Sequence, residues 1–136
     1  IDSRKDHLAD LRDRMQEHAE DVFQQRDIQF HMQEEGIDLR QKIPVEIRQN
    51  LYFIYKEAIN NISKHSNATQ VNVLIKADGK NFTMRIQDNG MISGERPRQK
   101  SSQGIENMEM RARRLGATLD IRQQGGYTIH LKMKNF

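Results

Sequence analysis

Residues able to do chemistry gather in EAINNISKHSNA, 57 to 68, where Glu57, Asn61 and Lys64 recur at spacings of four and three. In an α-helix this spacing lines them along one edge of an apolar face made by Leu51, Ile54, Tyr55, Ala58, Ile59 and Ile62. A carboxylate and a carboxamide oxygen one turn apart can face a single hard cation or its waters, because magnesium takes oxygen ligands. Lys64 and His65 can then reach a phosphate. The same spacing also suits a polar edge that simply meets water. A second segment, QDNGM (87 to 91), ends a strand-like pattern in Asp88 and carries Gly90, which is also how many turns begin. A third, SSQGIENM (101 to 108), leads small residues and Gly104 into a helix, where free backbone N–H groups and the helix dipole favour an anion. Glycine before a helix is equally common as punctuation.

The elements that must position these residues follow from periodicity. Pro44 suits the first turn of a helix that runs through VEIRQNLYFIYKEAINNISKHS to about Ser66. VNVLIKA and NFTMRIQD alternate with period two and place Val71, Val73, Ile75, Phe82, Met84 and Ile86 on buried faces, with Asp78-Gly79 as the hairpin turn. Residues 89 to 103 have no periodicity and are rich in Gly, Ser, Pro and charge, so they read as a loop. Ile105, Met108, Ala112 and Leu115 then recur at helical spacing up to Gly116, and TLDIRQ and YTIHLKM form a last hairpin across 124 to 126. IQFHMQ, 28 to 33, is an earlier strand. Residues 1 to 24 are charged and breaker-free, with Ile1, Leu8, Met15 and Val22 seven apart and Leu11 joining them. They read as a coiled-coil-like stem, the alternative being a helix packed on its own domain. The order implies an α/β two-layer sandwich, a mostly antiparallel mixed sheet with helices on one face, divided into a stem at 1–25 and a domain at 26–136.

Composition narrows the function classes. With 136 residues, 35% hydrophobic and 30% charged, the chain suits one globular domain with a real core. A net charge of +3 is interspersed and aromatics are 6%, so no basic stripe with stacking rings marks a nucleic-acid surface. Arg111, Arg113 and Arg114 read as a solvated helix face. There is no cysteine, which removes disulfides and thiolate metal sites. No apolar run approaches the roughly 20 residues that span a bilayer. The first residue is Ile1, so a fragment is expected whose parent could carry a membrane anchor elsewhere.

LYFIYKEAINNISKHSNATQVNV, MRIQDNG, QGIENMEMRARRLGATLDI and GGYTIHLKM, in this order, resemble the catalytic, ATP-binding domain of bacterial sensor histidine kinases, most closely the nitrate-sensor and desaturase-regulator type. These belong to the GHKL ATPase superfamily with its Bergerat-type fold. The resemblance covers about residues 28 to 134, and Glu-Ala-x-x-Asn-x-x-Lys-His is its most specific part. It implies that Asn61 ligates Mg2+ and that Glu57 polarises or positions the reaction at the γ-phosphate of ATP. Lys64 and His65 would lie toward the phosphates. Asp88 would accept the adenine amino group, with Gly90 letting the nucleotide approach, and Gly104 and Ile105 would flank the triphosphate. Thr128 matches the family's threonine at the base of the pocket.

Ile92 stands where the first glycine box has its second glycine, and Ser102 where the second box has its first. The loop from Met91 to Gln103 is too short for a large lid. His7 and His18 lack the directly following acid of the family's phosphoacceptor box and read as solvated stem residues. The expectation is a cytoplasmic histidine kinase domain that phosphorylates a histidine on a dimeric helical stem, for relay to a response regulator. A nucleotide-free interaction module of the same fold is the alternative, and a serine-directed or conformational ATPase of the superfamily is a further rival.

Overall fold

The computed structural model describes residues 5–90, 102–123 and 126–136. Its elements are α1 (Leu8–Gln24), β1 (Gln29–Glu35), α2 (Val45–His65), β2 (Gln70–Asp78), β3 (Asn81–Asp88), α3 (Ser102–Arg114), β4 (Thr118–Arg122) and β5 (Thr128–Met133). The five strands form one sheet in the order β1-β2-β3-β5-β4. β1 runs parallel to β2, and the remaining pairs are antiparallel, so the sheet is mixed as expected.

Alternation fixes which face the helices cover. β2 buries Val71, Val73 and Ile75, β3 buries Phe82, Met84, Ile86 and Asp88, and β5 buries Ile129, Leu131 and Met133. The apolar stripe of α2, including Leu51, Ile54, Tyr55, Ala58, Ile59 and Ile62, is buried in the same core. Asn72, Arg85 and Gln87 lie exposed on the opposite face of the sheet. The Asp78-Gly79 turn sits where the alternation breaks, with Gly79 in the left-handed region at φ +63°.

The coiled-coil-like reading of the first helix is corrected. α1 buries Leu8, Leu11, Met15, Ala19 and Phe23, a stripe of threes and fours that merges with the core of the rest of the chain. The buried Tyr55 hydroxyl donates to the Met15 carbonyl at 2.7 Å. His18 is not a solvated stem residue: its ring nitrogen meets Asn60 Oδ1 at 3.1 Å, and its ring packs edge-on against Tyr52. His7 caps α1 in a reciprocal capping box with Asp10. A seven-residue count fits Leu8 and Met15 under either packing, and Phe23, one position beyond the heptad's Val22, shows the straight-helix drift that wraps α1 onto α2.

Met91, Ile92 and the rest of 91–101, and residues 124–125 of the expected last hairpin, lie outside the described residues. The expected loop, 89 to 103, is irregular at Asn89 and Gly90 but already helical at its far end, since α3 begins at Ser102 and places Gly104 within its first turn.

Candidate functional site

α2 carries Glu57 and Asn61 one turn apart, both half-buried, on the edge that faces α3. The contact is close at Gly104: a methyl group there would lie 3.8 Å from Glu57 Oε2 and 3.9 Å from Asn61 Nδ2. A longer side chain on that turn would fill the space in front of both polar groups. The placement of α3 is secured further along by Arg111, whose guanidinium sits 4.1 Å from the centre of the Phe53 ring and donates to Asn50 Oδ1 at 3.3 Å. Asn50 is itself buried and donates to the Glu46 carbonyl at 2.7 Å. Arg111 is therefore a clamp between α2 and α3 and not part of a solvated face, whereas Arg113 and Arg114 are exposed.

At the end of β3, Asp88 is 3% exposed. Its Oδ1 accepts the backbone N–H of Gly90 at 2.9 Å and of Tyr127 at 3.0 Å. Its backbone N–H donates to the Tyr127 carbonyl at 3.0 Å. Its second oxygen, Oδ2, is buried without a hydrogen-bond partner among the described residues. An unmatched buried carboxylate oxygen is costly, so a donor from an ordered water or a ligand suits that position. Asn89 locks the segment by accepting from the N–H groups of Thr69 and Gln70, both at 2.9 Å, and donating to Thr69 Oγ1 at 3.0 Å.

The two halves meet through Tyr127. Asn61 Nδ2 donates to the Tyr127 hydroxyl at 3.4 Å, and Tyr127 in turn is bonded to Asp88 through its backbone. Thr128, expected at the base of the pocket, is corrected here. It pairs with Gln87, not Asp88, and alternation turns both Thr128 and Gln87 toward the face of the sheet opposite Asp88. The position beside Asp88 belongs to Tyr127. Reading YTIHLKM by period two, with Tyr127 leading Ile129, Leu131 and Met133 on the buried face, would have found it.

Gly90 is essential to the local packing in a different way from that anticipated: a Cβ there would lie 2.4 Å from Ser66 Oγ and 3.2 Å from Asn67 Oδ1, so the end of α2 occupies that side. Gly126, which the sequence reading missed, has φ +120°, and a Cβ on it would come within 2.6 Å of the Asp88 carbonyl oxygen. Ile105 is partly buried and packs on the core. Lys64 and His65 are exposed in the last turn of α2, where cationic side chains also complement the helix dipole. Among the described residues, no three His, Asp or Glu side chains gather as a metal site, and no helix is long and apolar enough to cross a membrane.

No protein-family model matches the chain. Sensor protein VraS of Staphylococcus aureus is 39% identical over 80 residues, covering 59% of this chain and 23% of VraS. The chain thus spans about a quarter of the length of the curated relatives it matches. Among solved structures, the catalytic domain of histidine kinase ThkA superposes with a TM-score of 0.73 at 12% identity, over 95% of this chain and 94% of that one. Full-length ShkA, solved in complex with AMPPNP, superposes with a TM-score of 0.73 at 14% identity, over 93% of this chain and 29% of that one. The chain is similar in sequence to VraS sensor proteins and has the fold of histidine kinase catalytic domains.

Proposed function

We propose that this chain is the ATP-binding catalytic domain of a two-component sensor histidine kinase, and that it binds Mg-ATP between α2, the end of β3 and the start of α3. The observation that carries the reading is the buried, unpartnered Oδ2 of Asp88. With Oδ1 already accepting two backbone N–H groups, Oδ2 is left to a donor from outside the described residues, and the exocyclic amino group of adenine is such a donor. The similarity to VraS and the fold shared with ShkA, which was solved with the ATP analogue AMPPNP, support the same ligand.

Bound Mg-ATP would supply the phosphoryl group together with a cation that neutralises its charge. The chain would position it. Asn61 would offer its carboxamide oxygen to Mg2+, and Glu57, one turn earlier, would orient or polarise the acceptor side at the γ-phosphate. The N–H groups of the first turn of α3, opened by Gly104, would face the phosphates, with Ile105 holding that turn on the core and Lys64 and His65 at the rim. Gly90 would close the adenine end by letting the 88–90 turn dock on Ser66. The acceptor histidine and the homodimer contacts would come from a helical stem in a longer protein, possessing a membrane anchor or not, and a response regulator would receive the phosphoryl group. A cytoplasmic setting is part of this proposal, because ATP is found there.

Calorimetry with Mg-AMPPNP tests it. The Asp88→Asn variant keeps an oxygen for the Gly90 and Tyr127 N–H groups but replaces Oδ2 by a donor. A hydrogen bond to a charged group lost from the adenine should weaken binding about tenfold to a hundredfold. Wild-type affinity in this variant would remove the adenine assignment, and no binding by the unaltered chain would favour a nucleotide-free interaction module.

A further inference from the structure

Tyr127 is 3% exposed and bonded to residues from both ends of the proposed nucleotide site. Its hydroxyl receives Asn61 Nδ2 at 3.4 Å, its N–H donates to Asp88 Oδ1 at 3.0 Å, and its carbonyl accepts from the Asp88 N–H at 3.0 Å. A carboxamide has one acceptor end and one donor end, so an asparagine that offers its oxygen to a cation must turn its NH2 group to an acceptor. A phenol oxygen serves this purpose without carrying a charge that would compete for the cation at neutral pH. We infer that Tyr127 is the positioning residue that orients the Asn61 amide for metal-bound nucleotide, and that it ties this orientation to the Asp88 carboxylate. The inference rests on the assignment of Asn61 and Asp88 to a Mg-ATP site.

Tyr127→Phe isolates the hydroxyl, because the ring and the backbone bonds to Asp88 remain. Binding of AMPPNP is measured with Mg2+ and, separately, with EDTA, on the unaltered chain, Tyr127→Phe, Asn61→Ala and the double variant. One neutral hydrogen bond lost from the metal-binding side chain should weaken Mg-AMPPNP about threefold to tenfold. Affinity in EDTA should match the unaltered chain, because Asn61 then has no cation to meet. Adding Tyr127→Phe to Asn61→Ala should weaken binding no further, since the hydroxyl acts through Asn61. Unchanged Mg-AMPPNP affinity in Tyr127→Phe, or an equal loss with and without Mg2+, would overturn the inference while leaving the nucleotide site intact. Absence of binding by the unaltered chain under both conditions would overturn the nucleotide site and this inference with it.

Discussion

Asp88 holds its own turn through one oxygen and leaves the other buried without a partner among the described residues, so stability and the proposed nucleotide binding separate at this residue. Asp88→Asn should melt close to the unaltered chain in the absence of nucleotide. Asp88→Ala leaves the Gly90 and Tyr127 N–H groups without their acceptor and should cost about 1–3 kcal/mol for each group that finds no water, read as a lower melting temperature. Gly90→Ala places a methyl group 2.4 Å from Ser66 Oγ and should destabilise by about 1–3 kcal/mol, with part of the loss recovered when Ser66→Ala removes the obstructing oxygen. At this scale the sequence was partly legible. Asp88, Asn61, Glu57 and Gly104 could be picked out from residue type and spacing; the structure sets Gly104 against Glu57 and Asn61, and links Asp88 to Asn61 only through Tyr127. Tyr127 was hidden because Thr128 has the residue type that the resemblance led one to look for, and only the alternation of β5 separates the two.

α1 illustrates what spacing leaves open between elements. Charge on one side and apolar residues near every third or seventh position fit both a partner helix and the chain's own core, and the choice depends on an unpaired apolar face elsewhere in the fold. α2 supplies that face, with burial pushing the Tyr55 hydroxyl well above its ordinary range so that it stays a neutral donor to Met15. Leu11→Ala should therefore cost about 2–5 kcal/mol in denaturant unfolding, as for other buried leucines. Removal of residues 1–24 should abolish cooperative unfolding altogether, because it uncovers Tyr55 and the adjoining stripe of α2. An independent stem would instead leave 25–136 with a sharp transition. The α2, β2, β3, α3, β4 and β5 elements were legible because each has a period and a breaker of its own, including Pro44, Asp78-Gly79 and Gly116.

Across the whole molecule, the helices and the site occupy one face of the sheet, and the opposite face carries a mainly basic cross-strand group. His130 lies there, opposite Arg85 on β3 and Asp120 on β4. Burial, followed by the charges of Lys132 and Arg85, lowers its pKa from 6.5, with Asp120 opposing the shift and Arg122 adding to it. The folded state thus binds this proton less readily than the unfolded chain, so stability should fall as pH drops below about 6.5, and His130→Gln should flatten that part of the profile.

On the proposed reading, the arrangement on the helical face lets one ligand span α2, β3 and α3, and its most direct test is an amide-resolved NMR titration with Mg-AMPPNP. The account predicts coordinated shifts at the backbone N–H groups of Gly90, Gly104 and Tyr127, saturating together at one affinity, with His130 and the open sheet face unmoved. Shifts confined to the open face, or separate saturation of Gly90 and Gly104, would contradict a single nucleotide held at both ends.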